Sequence, residues 1–220
     1  HARFSPGPPE PVPRIVAEAL VQILNPLETI LRPGPAAPVT EVARAIARSL
    51  APPEANVPAP AWLRPEQRRP FRRAVAAVEW HGGALLADPV GSGKTWIALA
   101  VAEAVGPNGE VTAVGPAALR DQWRRVVGQL GITATIVSHE AASRGALPAS
   151  PGACILIDES HQYRNPGTTR YQNLARWLVG ARHVLLLSAT PVVNRLEHLA
   201  HQLLLAVRDD TLISRGCPSL

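Results

Sequence analysis

The stretch Leu85–Ala100 reads LLADPVGSGKTWIALA. An apolar run enters a glycine loop, Gly91-Ser92-Gly93-Lys94-Thr95, and an almost unbroken apolar segment leaves it. A strand that turns through such a loop into a helix is a phosphate-binding arrangement. Glycines 91 and 93 have no side chain to keep backbone N–H groups from an anion, with Ser92 between them, and the helix start adds partial positive charge. Lys94 is suited to bridge the outer phosphates of a nucleotide, and the Thr95 hydroxyl to hold Mg²⁺. The usual spelling of the loop begins with glycine, and this chain has Asp88 there. The competing reading is a chance glycine turn. Lys94 weighs against it, because it is the chain's only lysine among 22 Lys and Arg residues.

Outward from the loop, short apolar runs alternate with helical patterns. Strands are predicted over 83–87, 110–115, 132–137, 153–158 and 183–189. Helices are predicted over 95–105, 117–130, 169–179 and 195–207. The helix after the loop is apolar all round, as a core helix is. This alternation predicts an α/β fold with a mostly parallel sheet covered on both faces and ligands at the carboxyl ends of the strands. Residues 1–60 are rich in proline, with two short amphipathic patterns, about 14–24 and after Thr40. They read as a helical extension or linker before a nucleotide-binding domain over 61–207, followed by a tail over 208–220.

Composition narrows the class. Of 220 residues, 46% are hydrophobic and 18% charged, which is a folding composition and not a disordered one. The formal net charge of +5 favours an anionic partner such as nucleic acid, although an arginine-rich solvated surface has the same charge. Two cysteines make no disulfide framework, and there is neither a long apolar span nor a signal-peptide pattern. The expectation is a cytoplasmic protein, bacterial in type and nucleoid-associated, with no membrane partner. The chain starts at His1 and lacks methionine, and so reads as a piece of a longer protein.

A phosphate loop needs an acid to complete the metal shell. CILIDESH, 154–161, ends an apolar strand with Asp158, placed to serve Mg²⁺, and Glu159, placed to deprotonate the attacking water. Two exposed acids at a strand end would be the unremarkable alternative. It loses force because the phosphate loop lies upstream in the same alternation.

DESH resembles the DEAH-type box of helicase superfamily two, and LLLSATPVVN, 185–194, resembles the Ser-Ala-Thr motif that follows it. DPVGSGKT is similar to the loop of the Swi/Snf-like branch, in which an acid opens the loop, so Asp88 fits that branch. LRPEQ (63–67), VGPAALRDQW (114–123), VSHE (137–140) and DESHQYRN (158–165) resemble further elements of the family in the family's order. The resemblance implies a RecA-like P-loop sandwich, the first of two such lobes, which binds ATP with Mg²⁺ and moves along duplex DNA once a second lobe supplies arginine fingers. It implies that Gln67 binds adenine and that Asp88, Gly91, Ser92, Gly93, Lys94 and Thr95 form the nucleotide loop. It further implies that His161, Ser188 and Thr190 couple the nucleotide to nucleic acid, and that Gly115 and Gln122 lie near the tracked strand. The sequence departs from the family at Pro89, in place of an acid, and at Glu66, in place of an aromatic residue. Two other readings stay open: an RNA-directed or strand-separating helicase of the same superfamily, and a degenerate lobe that only binds.

Smaller signals point to structure more than to chemistry. The arginines at 64, 68, 69, 72 and 73 suit a solvated helix face or a phosphate contact. Trp62, Trp123 and Trp177 suit packing. His198 and His201 lack further metal ligands nearby. Gly91-Ser92-Gly93 lacks the first glycine of a nucleophile elbow.

Overall fold

A computed structural model describes residues 52–107, 109–192 and 195–207, which fall in one compact unit, Pro52–Thr211. The two amphipathic patterns expected before residue 51 and the tail from 208 lie outside the described residues. Every predicted strand forms: β1 Gly83–Leu86, β2 Val111–Gly115, β3 Ala134–Ser138, β4 Cys154–Ile157 and β5 Val184–Leu187. They make one parallel sheet in the order β1-β5-β4-β2-β3. The interior strands β5, β4 and β2 are buried along their whole length, whereas β1 and β3 at the edges are partly exposed. Continuous apolar runs are what a parallel sheet covered on both faces demands.

The helices are α1 Pro65–His81, α2 Lys94–Val105, α3 Arg120–Leu130, α4 His139–Ser143, α5 Thr169–Leu178 and α6 Leu196–Ala206. The pleat sorts the core into two sides. Leu156, Leu185 and Leu187 pack with α1, α2 and α3 through Val75, Leu99 and Trp123. Ile155, Ile157 and Leu186 pack with α5 and α6 through Leu174 and Leu205, and Val114 and Val137 pack with Ala142 of α4. Connections that run toward β3 carry α2 and α3, and connections that run back carry α4 and α5. A reversal of direction that moves helices to the other face is what one common crossover handedness requires. The result is the RecA-like α/β sandwich expected from the sequence.

Two elements were not legible. Helix α1 is masked by Pro65, Pro70 and the arginine run, yet Phe71, Ala74, Val75 and Val78 form its buried stripe. Pro65 sits at the first helical position, where no N–H is needed. Four of the five arginines engage neighbours: Arg64 with Glu66, Arg68 with the Leu63 carbonyl, Arg69 with Glu54, and Arg72 with the Val57 carbonyl. The last three fasten residues 52–63 along α1, and Ala55, Val57 and Ala59 pack on the same core. This stretch, which reads as linker from its proline content, thus lies along α1, with those three residues partly buried. Helix α4 is too short to show a period. It is marked only by its cap, Ser138 Oγ, which accepts the Ala141 N–H at 3.1 Å.

Leu156 lies on the central strand with no exposure. Leu156→Ala is expected to cost about 2–5 kcal/mol through lost burial and a residual cavity, read as a lower denaturant midpoint at unchanged slope.

Candidate nucleotide site

The loop after β1 is shaped by its two glycines. Gly91 and Gly93 both have φ of +82°, in the left-handed region, and a Cβ on Gly93 would collide with the Gln67 amide. Helix α2 begins directly after Gly93 with no side-chain cap and no acid in its first turn. Its leading N–H groups and positive dipole end are thus left to an external anion. Lys94 Nζ donates to the carbonyls of Asp88 at 2.7 Å and Pro89 at 3.0 Å, which folds the ammonium over the loop. Asp88 thus contributes its backbone oxygen, a contact any residue type could supply. Ser92 Oγ is buried with no hydrogen-bond partner among the described residues.

Gln67 braces this loop from α1. Its Oε1 accepts the Arg64 N–H at 3.1 Å, and its Nε2 donates to the Ser92 carbonyl at 2.9 Å. Arg64 Nη2 donates to the same carbonyl at 3.2 Å. Gln67 is 3% exposed, so in this structure it is a strut under the loop. Trp62 packs on Trp96 with ring centroids 5.7 Å apart, beside the start of α2.

The acids leave β4 on the same edge of the sheet. Both carboxylate oxygens of Asp158 are held: Oδ1 accepts the Glu159 N–H at 3.0 Å, and Oδ2 accepts the Trp123 indole N–H at 3.1 Å. Gly115 lies beneath them, and a Cβ there would approach the Asp158 Cβ to 3.2 Å. Gly115 therefore makes room for the Asp158–Trp123 contact. Glu159 has φ of 49°, the only left-handed residue other than glycine among the described residues. Backbone strain of this kind costs about 1–3 kcal/mol and gathers at functional sites.

Strand β5 joins the two halves. The Ser188 N–H donates to the Leu86 carbonyl at 3.1 Å, at the root of the phosphate loop. Ser188 Oγ lies 3.3 Å from His161 Nδ1, which is itself 3.1 Å from Glu159 Oε2. Ser188 Oγ also accepts the Thr190 N–H at 3.2 Å. A chain of contacts thus runs from the loop's root through Ser188 and His161 to Glu159. Gln122 stands apart, exposed on the outer side of α3 next to Trp123.

Thr95 and Asp158 offer a hydroxyl and a carboxylate on one sheet edge, and no group of three or more His, Cys, Asp or Glu among the described residues could hold a metal. That donor set fits Mg²⁺, which takes one or two side chains plus substrate phosphates, and does not fit zinc. His201 Nδ1 donates to the Arg164 carbonyl at 3.0 Å, and no metal-ligating cluster forms around it among the described residues. No described helix is long and apolar enough to cross a membrane.

No family model matches the chain. The SWI/SNF-related matrix-associated actin-dependent regulator of chromatin subfamily A-like protein 1 of Bos taurus is 32% identical over 162 residues, 63% of this chain and 17% of the relative. The uncharacterized ATP-dependent helicase YqhH of Bacillus subtilis is 27% identical over 141 residues, 54% of this chain and 25% of the relative. The structure of the Sulfolobus solfataricus SWI2/SNF2 ATPase core in complex with dsDNA superposes with a TM-score of 0.59 at 18% identity, over 71% of this chain and 37% of that one. The chain is thus similar in sequence to Swi/Snf-like ATPases and ATP-dependent helicases, and its fold matches that of a solved SWI2/SNF2 ATPase core. It spans only 17% of the bovine relative's length.

One buried contact was not anticipated. His139, in the VSHE element, is 2% exposed, and its Nδ1 lies 3.0 Å from the Tyr163 hydroxyl behind the acid-bearing turn. Burial first, then the Arg170 charge, lowers its pKa from 6.5 to about 4. Below pH 6.5 the unfolded chain takes up a proton there that the folded chain refuses until about pH 4. Stability from this group is thus intact above that window and falls as pH drops through it, by roughly 3 kcal/mol in all. His139→Asn keeps a polar partner for Tyr163 without a titrating ring. Denaturation of the two proteins between about pH 7 and pH 5 should show the smaller loss of stability in the variant.

Proposed function

We propose that this chain is the ATP-binding lobe of an ATP-dependent, duplex-DNA-translocating enzyme. The observation that carries the reading is the shared sheet edge, where the uncapped start of α2 with Lys94 and Thr95 is tied through Ser188 and His161 to Glu159. Lys94 and the loop N–H groups would hold the phosphates, and Gln67 would keep the loop in register while it offers its remaining hydrogen-bonding capacity to adenine. Glu159 would orient a water and accept its proton. His161, within reach of both Glu159 and Ser188, would tie that base to Thr190 and the segment that faces nucleic acid. Mg²⁺ between Thr95 and Asp158 would neutralise phosphate charge. The Trp123 bond to Asp158 would keep that carboxylate in its orientation, as hydrogen-bond partners of metal ligands do.

Duplex DNA is favoured as the track by the Asp88 loop, by the GPAALRDQW element with Gln122 at the surface, and by the dsDNA bound to the Sulfolobus neighbour. The arginine fingers would come from a second RecA-like lobe, and such a finger is worth about three to five decades in rate. These 220 residues alone are therefore expected to bind ATP and turn it over slowly.

In the complete protein, Lys94→Ala and Glu159→Gln should each lower turnover by at least about a hundredfold. Duplex DNA should stimulate the wild type more than single strands or RNA do. Stronger stimulation by RNA would replace the translocase with an RNA-directed helicase, and wild-type turnover in both variants would remove the assigned site.

The lone lysine permits a second check on the 220-residue chain. An amine-reactive reagent should modify Lys94, and Mg-ATP should protect it, as read by peptide mass spectrometry. Labelling unaffected by nucleotide would place the phosphates elsewhere.

A further inference from the structure

Behind the acid-bearing turn lies a polar pair that the nucleotide reading does not use. Ser160 and Gln202 both have no exposure. Ser160 Oγ donates to Gln202 Oε1 at 3.0 Å. Gln202 Nε2 donates to the Pro191 carbonyl at 2.8 Å and to the His198 carbonyl at 2.8 Å. Two carbonyls on the nitrogen side fix the orientation of the amide, so its oxygen has to face the serine. Every donor of the pair is used, as a buried polar pair requires.

The position of the pair gives it meaning. Ser160 follows Asp158 and Glu159 directly and opens the short 3-10 helix Ser160–Tyr163. Pro191 follows Ser188, Ala189 and Thr190 after β5. Gln202 lies on α6 and bridges the two. The preceding residue, His201, holds the far end of the same turn through the Arg164 carbonyl at 3.0 Å, and Tyr171 of α5 donates to the His201 carbonyl at 3.0 Å. The turn and the segment after β5 are therefore joined twice. One joint, His161 with Ser188, is partly solvent-exposed. The other runs from Ser160 through Gln202, both without exposure, to the Pro191 carbonyl. An alanine at position 160, as in the DEAH spelling, could not make the bond to Gln202.

We propose that Ser160 and Gln202 are positioning residues that make the Asp158–Glu159 turn and the Ser188–Pro191 segment move as one body with α6. The proposal rests on the ATPase reading above. In that reading the acids have to respond to nucleic acid bound beyond Thr190. A strut between the two segments would transmit the response without touching nucleotide.

The test uses the complete protein and its ATPase with and without duplex DNA. Gln202→Leu leaves the Ser160 hydroxyl buried and unpaired and frees the Pro191 carbonyl. Ser160→Ala removes one oxygen atom and is the milder change. Both are expected to lower DNA-stimulated kcat, Gln202→Leu by about tenfold. KM for ATP should stay within about twofold, because the phosphate loop is untouched. The double variant should fall by less than the product of the single effects, as for two groups in one bond. Hydrogen exchange should quicken together at residues 158–163 and 188–191 in Ser160→Ala, a readout that a purely packing role would not move as a pair. If Gln202→Leu fails to fold, Ser160→Ala alone carries the decision. Folded variants with wild-type kcat, or exchange that quickens in only one segment, overturn the strut while Lys94→Ala still abolishes turnover. A wild type with no ATPase, or one indifferent to Lys94→Ala, overturns the nucleotide reading and the strut with it.

Discussion

The arrangement depends on the parallel register of three strands. β1, β5 and β4 run the same way side by side, so their carboxyl ends open on one edge of the sheet. The phosphate loop leaves the first, the Ser-Ala-Thr segment the second and the acids the third. Neighbouring strands lie about 4.8 Å apart, so an anion gripped by the loop and a carboxylate after β4 are separated by one intervening strand. A triphosphate with its metal spans such a gap. No loop could hold that spacing alone. The fully buried β4 and β5, clamped by helices on both faces, hold it rigidly.

Within that frame the site leaves some groups open and closes others. The start of α2 is left without a cap, and Ser92 Oγ without a partner among the described residues. These are the groups an anion would satisfy. The Asp158 carboxylate, by contrast, is held on both oxygens, and Glu159 is fixed in a strained backbone conformation. A preorganised acid facing an open donor cradle suits a reaction whose catalysis is mostly positioning and charge stabilisation.

The polar contacts behind the site serve a different end. Trp123, His139 with Tyr163, and Ser160 with Gln202 approach the acid-bearing turn from three different elements. α3 brings the tryptophan, α4 the histidine and α6 the glutamine. Each of these elements also follows a strand end on the site's edge.

The apolar runs and the glycine loop were legible in the primary structure because their signals are local: a strand's continuous burial, the φ-permissive Gly91 and Gly93, and a lone lysine against an arginine background. DESH and the Ser-Ala-Thr segment could likewise be assigned to strand ends from their neighbours alone. Helix α1 could not, since its prolines and arginines mask a stripe whose apolar partners come from β1 and α2. The bracing by Trp123, the His139–Tyr163 pair and the Ser160–Gln202 bond joins residues 24 to 42 positions apart. No spacing rule relates such residues. They meet because the chain reverses direction after β3 and lays α4, α5 and α6 on the face opposite α2 and α3, and that reversal is a property of the assembled sheet.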